Sequence, residues 1–126
     1  MTISRETTAK LIKPLEGAIV RRYTSGAAIA AGQVVSMQDD GYVDPSDASA
    51  TDQVVGAAIQ AAAGAAERID VVTLGPVLCL AGATIGGTVF NSTDAGEPTQ
   101  TDAGSSTAAG WAETATILFV QPEHLA

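Results

Sequence analysis

The side chains of this 126-residue chain that could do chemistry stand apart from the partners such chemistry needs. Its one histidine, His124, lies close to the C-terminus, where a general base or metal ligand is seldom preorganised, and a solvated tail is its expected role. Cys79 sits in the apolar run VLCL with no cation nearby to lower its pKa, so it reads as an inert buried thiol. A single cysteine forms no intramolecular disulfide, and cysteine and histidine together are too few for a structural zinc site. Asp39, Asp40, Asp44, Asp47 and Asp52 cluster in DDGYVDPSDASATD, which lacks the order of an EF-hand loop and its closing glutamate. Turn formation is their expected role. Gly82, Gly86 and Gly87 in LAGATIGG fit no phosphate-loop spacing, and no Lys or Arg follows, so strand-connecting turns explain them. Phe90, Trp111 and Phe119 are expected to anchor a core. The chain is therefore expected to hold no catalytic residue, cofactor or metal, and not to be an enzyme.

The elements that would carry these residues are strands. LEGAIVRRY at 15–23 is β-compatible and ends at Thr24-Ser25-Gly26. QVVSM at 33–37 and YVD at 42–44 flank Asp39-Asp40-Gly41, and an Asp-Gly pair between apolar runs is a strong hairpin signal. A loop over 45–52 leads to a strand at 53–59. The run AAIQAAAGAAE at 57–67 pits the helix propensity of alanine against the lack of any large apolar residue on a 3.6 period. A strand ending near Ile59 and then an Ala/Gly loop are preferred, with a short helix as the alternative. ERIDVVTLG alternates as a strand with one buried face, Pro76 is expected to interrupt it, and VLCL continues. TVFNS at 88–92, GWA at 110–112 and TATILFV at 114–120 are further strands, separated by a turn-rich tract at 93–107. Residues 1–14 have neither helical nor alternating periodicity and end at Pro14, which gives an extended arm before a β-rich domain at 15–126.

Composition and charge constrain the role. The length suits one domain, and with 4% aromatic residues and 13 glycines the core should be thin and strand-built. No signal-peptide or membrane-spanning stretch follows MTISRETTAK, so a soluble protein that is not conventionally exported is expected. The net charge of −8 is unevenly spread. Residues 1–22 carry Arg5, Lys10, Lys13, Arg21 and Arg22 against Glu6 and Glu16, a net +3, whereas 23–126 carry Arg68 against twelve acids, a net −11. So acidic a body repels phosphate backbones, and neither nucleic acid nor a membrane is an expected partner.

The chain also repeats itself. Displaced by 55, Ala28, Gly32, Val34, Asp39 and Gly41 meet Ala83, Gly87, Val89, Asp94 and Gly96; displaced by 54, Gly56-Ala57-Ala58 meets Gly110-Trp111-Ala112. Chance matches are common in an Ala/Gly-rich chain, whereas a true duplication would pack two similar β-units into one barrel or sandwich. Either way the fold class is all-β: a small single-domain β-barrel or β-sandwich with an extended N-terminal arm.

The succession AAIAAGQVVSM, GYVDPSD, VVGAAI, ERIDVVTLGPV, LAGATIGGTVFNSTDAGEPT and GWAETATILFV, over residues 23–120, closely resembles the capsid decoration, or cement, proteins of tailed bacteriophages. The resemblance implies a non-catalytic virion protein, made in the host cytoplasm, that binds the major capsid protein on the outer surface of the head and stabilises the lattice, commonly as a homotrimer. Candidate capsid contacts are Ile3, Leu11 and Ile12 as apolar anchors of an arm adding a strand to a capsid β-element, with Arg5, Lys10, Lys13, Arg21 and Arg22 meeting capsid acids. On that reading, removing residues 1–14 leaves the domain folded and abolishes binding; the other reading is a disordered terminus. A host- or glycan-binding β-module of a head fibre or tail is the alternative function, with Trp111, Tyr23 and Tyr42 as the rings available for stacking on sugars.

Overall fold

A computed structural model describes residues 3–50 and 52–124; residues 1 and 2 of the expected arm and Thr51 of the expected loop lie outside them. Among the described residues the chain is almost wholly β, as its alternating runs require. The strands are β1 (Ser4–Arg5), β2 (Lys13–Pro14), β3 (Ile19–Thr24), β4 (Val34–Met37), β5 (Val43–Pro45), β6 (Val54–Ala58), β7 (Arg68–Leu78), β8 (Leu80–Ala81), β9 (Thr88–Asn91), β10 (Pro98–Thr99), β11 (Ala108–Ala112) and β12 (Ile117–Val120). A curled antiparallel sheet in the order β10-β9-β11-β12-β7-β6-β4-β5 makes a half-barrel, with β2 and β3 added along β7 and β1 paired to β8. The Asp-Gly hairpin forms as expected: β4 and β5 pair through Met37 and Val43, and Gly41 takes φ +84°, which an L-residue would resist.

The sheet order is palindromic because the fold is duplicated. In β4 and β6, Val35 faces Gly56 and Ser36 faces Val54; in β9 and β11, Val89 faces Gly110 and Phe90 faces Ala108, every residue displaced by 54, so Val89 matches Val35 and not Val34 as the displacement of 55 had it. Each repeat skips one residue of its second strand, Val55 or Ala109, at the same bulge. The repeats differ in one connection. Ala57 pairs with Val72, 15 residues on, whereas its counterpart Trp111 pairs with Phe119, 8 residues on. The extra chain is the Ala/Gly segment at 59–67, which forms a loop and no helix. Ala62 exchanges backbone hydrogen bonds with Ile29 at 2.8 and 2.9 Å, and both residues cover the face of the first repeat that Val35, Ala58 and Val71 present.

Strand β7 belongs to both repeats. Val71 and Val72 pair with β6, while 75–78 pair with β12. Pro76 therefore does not interrupt the strand, contrary to the sequence expectation. The preceding Gly75, at φ +104°, turns the chain where it passes from one sheet to the other, and the Pro76 carbonyl still accepts the Leu15 N–H at 3.0 Å. The principal core lies between the sheets, where Ala57 and Val72 of the first meet Val89, Ala112, Leu118 and Val120 of the second.

Phe90, Trp111 and Phe119 do not anchor that core. Across the described residues the largest fully buried side chains are Ile69, Leu80, Leu118 and valines, because the strands approach over glycine and alanine and leave no room for a ring. The open ends of the path are joined by a parallel bridge between Asp47 and Ser92, by the Gly96 N–H donating to the Ser46 carbonyl at 2.8 Å, and by a buried polar network. The Ser36 hydroxyl donates to Ser46 Oγ at 2.6 Å, Asn91 Nδ2 donates to the same oxygen at 2.9 Å, and the Thr107 N–H donates to Asn91 Oδ1 at 2.7 Å. Replacing Asn91 with alanine strands the Thr107 N–H and opens the seam, for an expected loss of about 2–4 kcal/mol. The urea midpoint, at unchanged slope, measures it.

A candidate docking surface

Residues 3–14 do not stand off as a separate arm. Ser4 and Arg5 pair with Ala81 and Leu80, a 3-10 turn follows at Ala9–Leu11, and Lys13 and Pro14 pair with Leu78 and Val77. The alternation expected of a strand is absent because the segment touches the body in pieces of two residues. Ile12 is 6% exposed and enters the core, and Ile3 packs against it, so neither is presented to a partner. Arg5 is also spent internally: Nε donates to Glu97 Oε2 at 2.9 Å and Nη1 to the Ala31 carbonyl at 3.0 Å. Of the eight sequence candidates, Lys10, Leu11, Lys13, Arg21 and Arg22 are exposed.

Three of these are brought to one edge, Lys13 on β2 and Arg21 and Arg22 on opposite faces of β3. Val77 and Leu78 have partners on both sides, β12 and β2, as Val71 and Val72 have in β6 and β3. Strands β2 and β3 thus flank the central strand, and β3 has no ladder partner other than β7 among the described residues. It buries no side chain fully. Ile19 stands opposite Leu74, at 51% and 41% exposure, with Val20 beside them; these were missed from sequence because β-propensity does not distinguish an outer from an inner strand. Lys13, Arg21 and Arg22 frame this apolar pair. Arg21 lies 5.7 Å from the Tyr23 ring centroid, and Arg22 Nε is 3.1 Å from Asp70 Oδ1. Such exposed contacts orient the guanidiniums without adding much stability. Unpaired backbone groups, exposed aliphatics and cations on one edge are suited to accept an acidic extended segment.

Elsewhere the chemistry is quiet. Burial pushes the Cys79 thiol up to about 12, which keeps it protonated and unreactive. His124 is exposed. Among the described residues no His, Cys, Asp and Glu group of three or more could hold a metal ion, and no helix is long and apolar enough to cross a membrane. Asp47 makes an Asx turn that accepts the Ser49 N–H and hydroxyl, lowering its pKa. Among the described residues Asp44 Oδ1 is buried without a hydrogen-bond partner, and desolvation, then Asp40 and Asp52, raise the pKa of this carboxyl. A raised pKa favours the neutral form, so stability is fullest below the ordinary carboxylate value and declines as pH rises through the folded one. Asp44→Asn is expected to raise Tm at pH 7, with the gain shrinking towards pH ~4 as the carboxyl protonates. Melting curves at the two pH values test this.

A scan of protein-family models and a search of curated proteins found no match to this chain.

Proposed function

We propose that this chain is a capsid decoration protein: a non-enzymatic virion component, made in the host cytoplasm, that binds the major capsid protein on the outer surface of a tailed-phage head and cements the lattice, as a homotrimer. The sequence resemblance brings the class, and the open edge of β3 carries the docking. It concentrates exposed Ile19, Val20 and Leu74 with Lys13, Arg21 and Arg22 on a molecule whose residues 23–126 otherwise net −11. A site of modest affinity suffices for a lattice-wide binder, because oligomerisation and repetition multiply it.

Quantitative mass spectrometry of purified source virions tests the role. A ratio to the major capsid protein near one supports it; a ratio far below one overturns it in favour of a tail or fibre module. The double charge reversal Arg21→Glu/Arg22→Glu tests the surface. It is expected to leave Tm within about 2 °C, since both side chains are exposed, and to weaken head binding at least ten-fold. Undiminished binding by this variant would place the contact elsewhere.

A further inference from the structure

Every phenylalanine and the one tryptophan of the chain lie outside the core, on the outer face of the second repeat. Thr88 stands opposite Trp111, Trp111 opposite Phe119, and Phe119 opposite Pro76, so these four side chains form one row across β9, β11, β12 and β7. The Trp111 and Phe119 rings stack at 5.3 Å with 26° between planes, and Trp111 remains 37% exposed. At the matching positions of the first repeat stand Val34, Ala57 and Val72, all buried. The row thus departs from its own duplicate in both size and exposure.

A groove of about 420 Å³ runs beside it, lined by Thr84, Gly87, Thr88, Phe90 and Gln100. The Gln100 amide is held flat. Its Oε1 accepts the Thr84 N–H and its Nε2 donates to the Thr84 carbonyl, both at 2.8 Å, over a glycine whose Cβ would lie 2.6 Å from Nε2. Each Gln100 amide atom keeps further hydrogen-bonding capacity. Ile85, 70% exposed, follows Thr84 on the same loop.

We propose that this groove and the Trp111 row bind a neutral oligosaccharide, a pyranose ring lying on the aromatic strip while its hydroxyls meet Gln100 and Thr88. Flat apolar faces edged by fixed amide and hydroxyl groups match the amphipathic faces of a pyranose. The charges nearest to Gln100 and Trp111 in sequence, Asp102 and Glu113, are both acidic and two residues away, which disfavours nucleotides and sulfated or sialylated sugars. The groove draws on β9 and the loops beside it rather than on β3, and the proposal stands whether or not the chain decorates a capsid.

Because Trp111 is the chain's sole tryptophan, its emission reports on the strip directly. Titration of the full chain with chitotriose and with maltotriose is expected to give a saturable shift with at least one of them, and none with 3′-sialyllactose. Gln100→Ala and, should that loosen the loop, Thr88→Val should each raise the half-saturating concentration at least ten-fold, with an unchanged far-UV spectrum. No saturable shift with either neutral sugar, equal binding by both variants, or tighter binding of the sialylated sugar would each overturn the proposal. So would a sugar-independent emission change on dilution, which would mean that a second copy of the chain covers the strip.

Discussion

Gly110→Ala is expected to cost at least about 3 kcal/mol, a large share of the 5–15 kcal/mol that holds a domain of this size together. A Cβ at Gly110 would fall 1.9 Å from the Phe119 carbonyl oxygen, and the residue's φ of +154° resists an L side chain. Neither obstacle is a flexible side-chain end, so a strand must move. Its counterpart Gly56 repeats the contact, 1.9 Å from the Val72 carbonyl oxygen, at the same place in the first repeat, and Gly56→Ala should be comparably costly. Gly64 is the control: an added Cβ would meet no atom of the described residues within 4 Å apart from its chain neighbours, and φ is not positive, so Gly64→Ala is expected to be neutral or to stabilise by up to ~1 kcal/mol through the unfolded chain. Urea unfolding of the three variants gives the comparison. A Gly110→Ala loss below about 1 kcal/mol would show that the strands are not held at this distance.

Removing residues 1–14 is the second large effect. An arm independent of the domain implies a folded remainder; the packing implies a damaged one. Ile12 alone contributes about 2–4 kcal/mol by its burial, as Ile12→Ala would show. The truncation also uncovers the neighbouring Val77 and Leu80 and deletes the Arg5 contacts with Glu97 and Ala31. Releasing the segment recovers its ordering entropy, but Val77 and Leu80 are left facing water in what remains. Circular dichroism and thermal melting of 15–126 should show a Tm lowered by more than 10 °C or no cooperative transition. An unchanged Tm would mean that the segment covers nothing that matters. Loss of head binding by such a truncation would therefore report on folding. Lys10→Ala and Leu11→Ala, both exposed, separate contact from stability.

What could be read from the sequence follows from the range of the interactions involved. The Asp39-Asp40-Gly41 hairpin, the alternation of 67–75 and the β-runs at 34–37, 88–91 and 117–120 are local patterns, and each became a strand or turn in place. The repeat showed in the glycines because its geometry depends on them. Gly56 and Gly110 lie against a neighbouring carbonyl, and Gly41 and Gly96 both take φ near +84°. Strands β1, β2, β8 and β10, two residues each, are too short to have a period and exist through partners far along the chain. The fates of Pro76 and of the aromatics depended on which sheet face had room, a property of the packed pair of repeats. The docking candidates divided for the same reason. Composition marks Arg5, Arg21 and Arg22 alike as basic, and the positions of Glu97 and of the Ala31 carbonyl turn Arg5 inward.

Sharing β7 between the repeats bears on how the chain comes apart. A tandem duplication with separate sheets could lose one half and keep the other, as repeat arrays do. Here the strand that completes the first sheet also completes the second, so melting either sheet strips a partner from the other. Denaturation should be a single transition, with the amides of Val71, Val72, Val77 and Leu118 exchanging with solvent only on global opening. Assembly runs under the same constraint in reverse: the half-barrel cannot be finished until β12 finds a strand some forty residues before it.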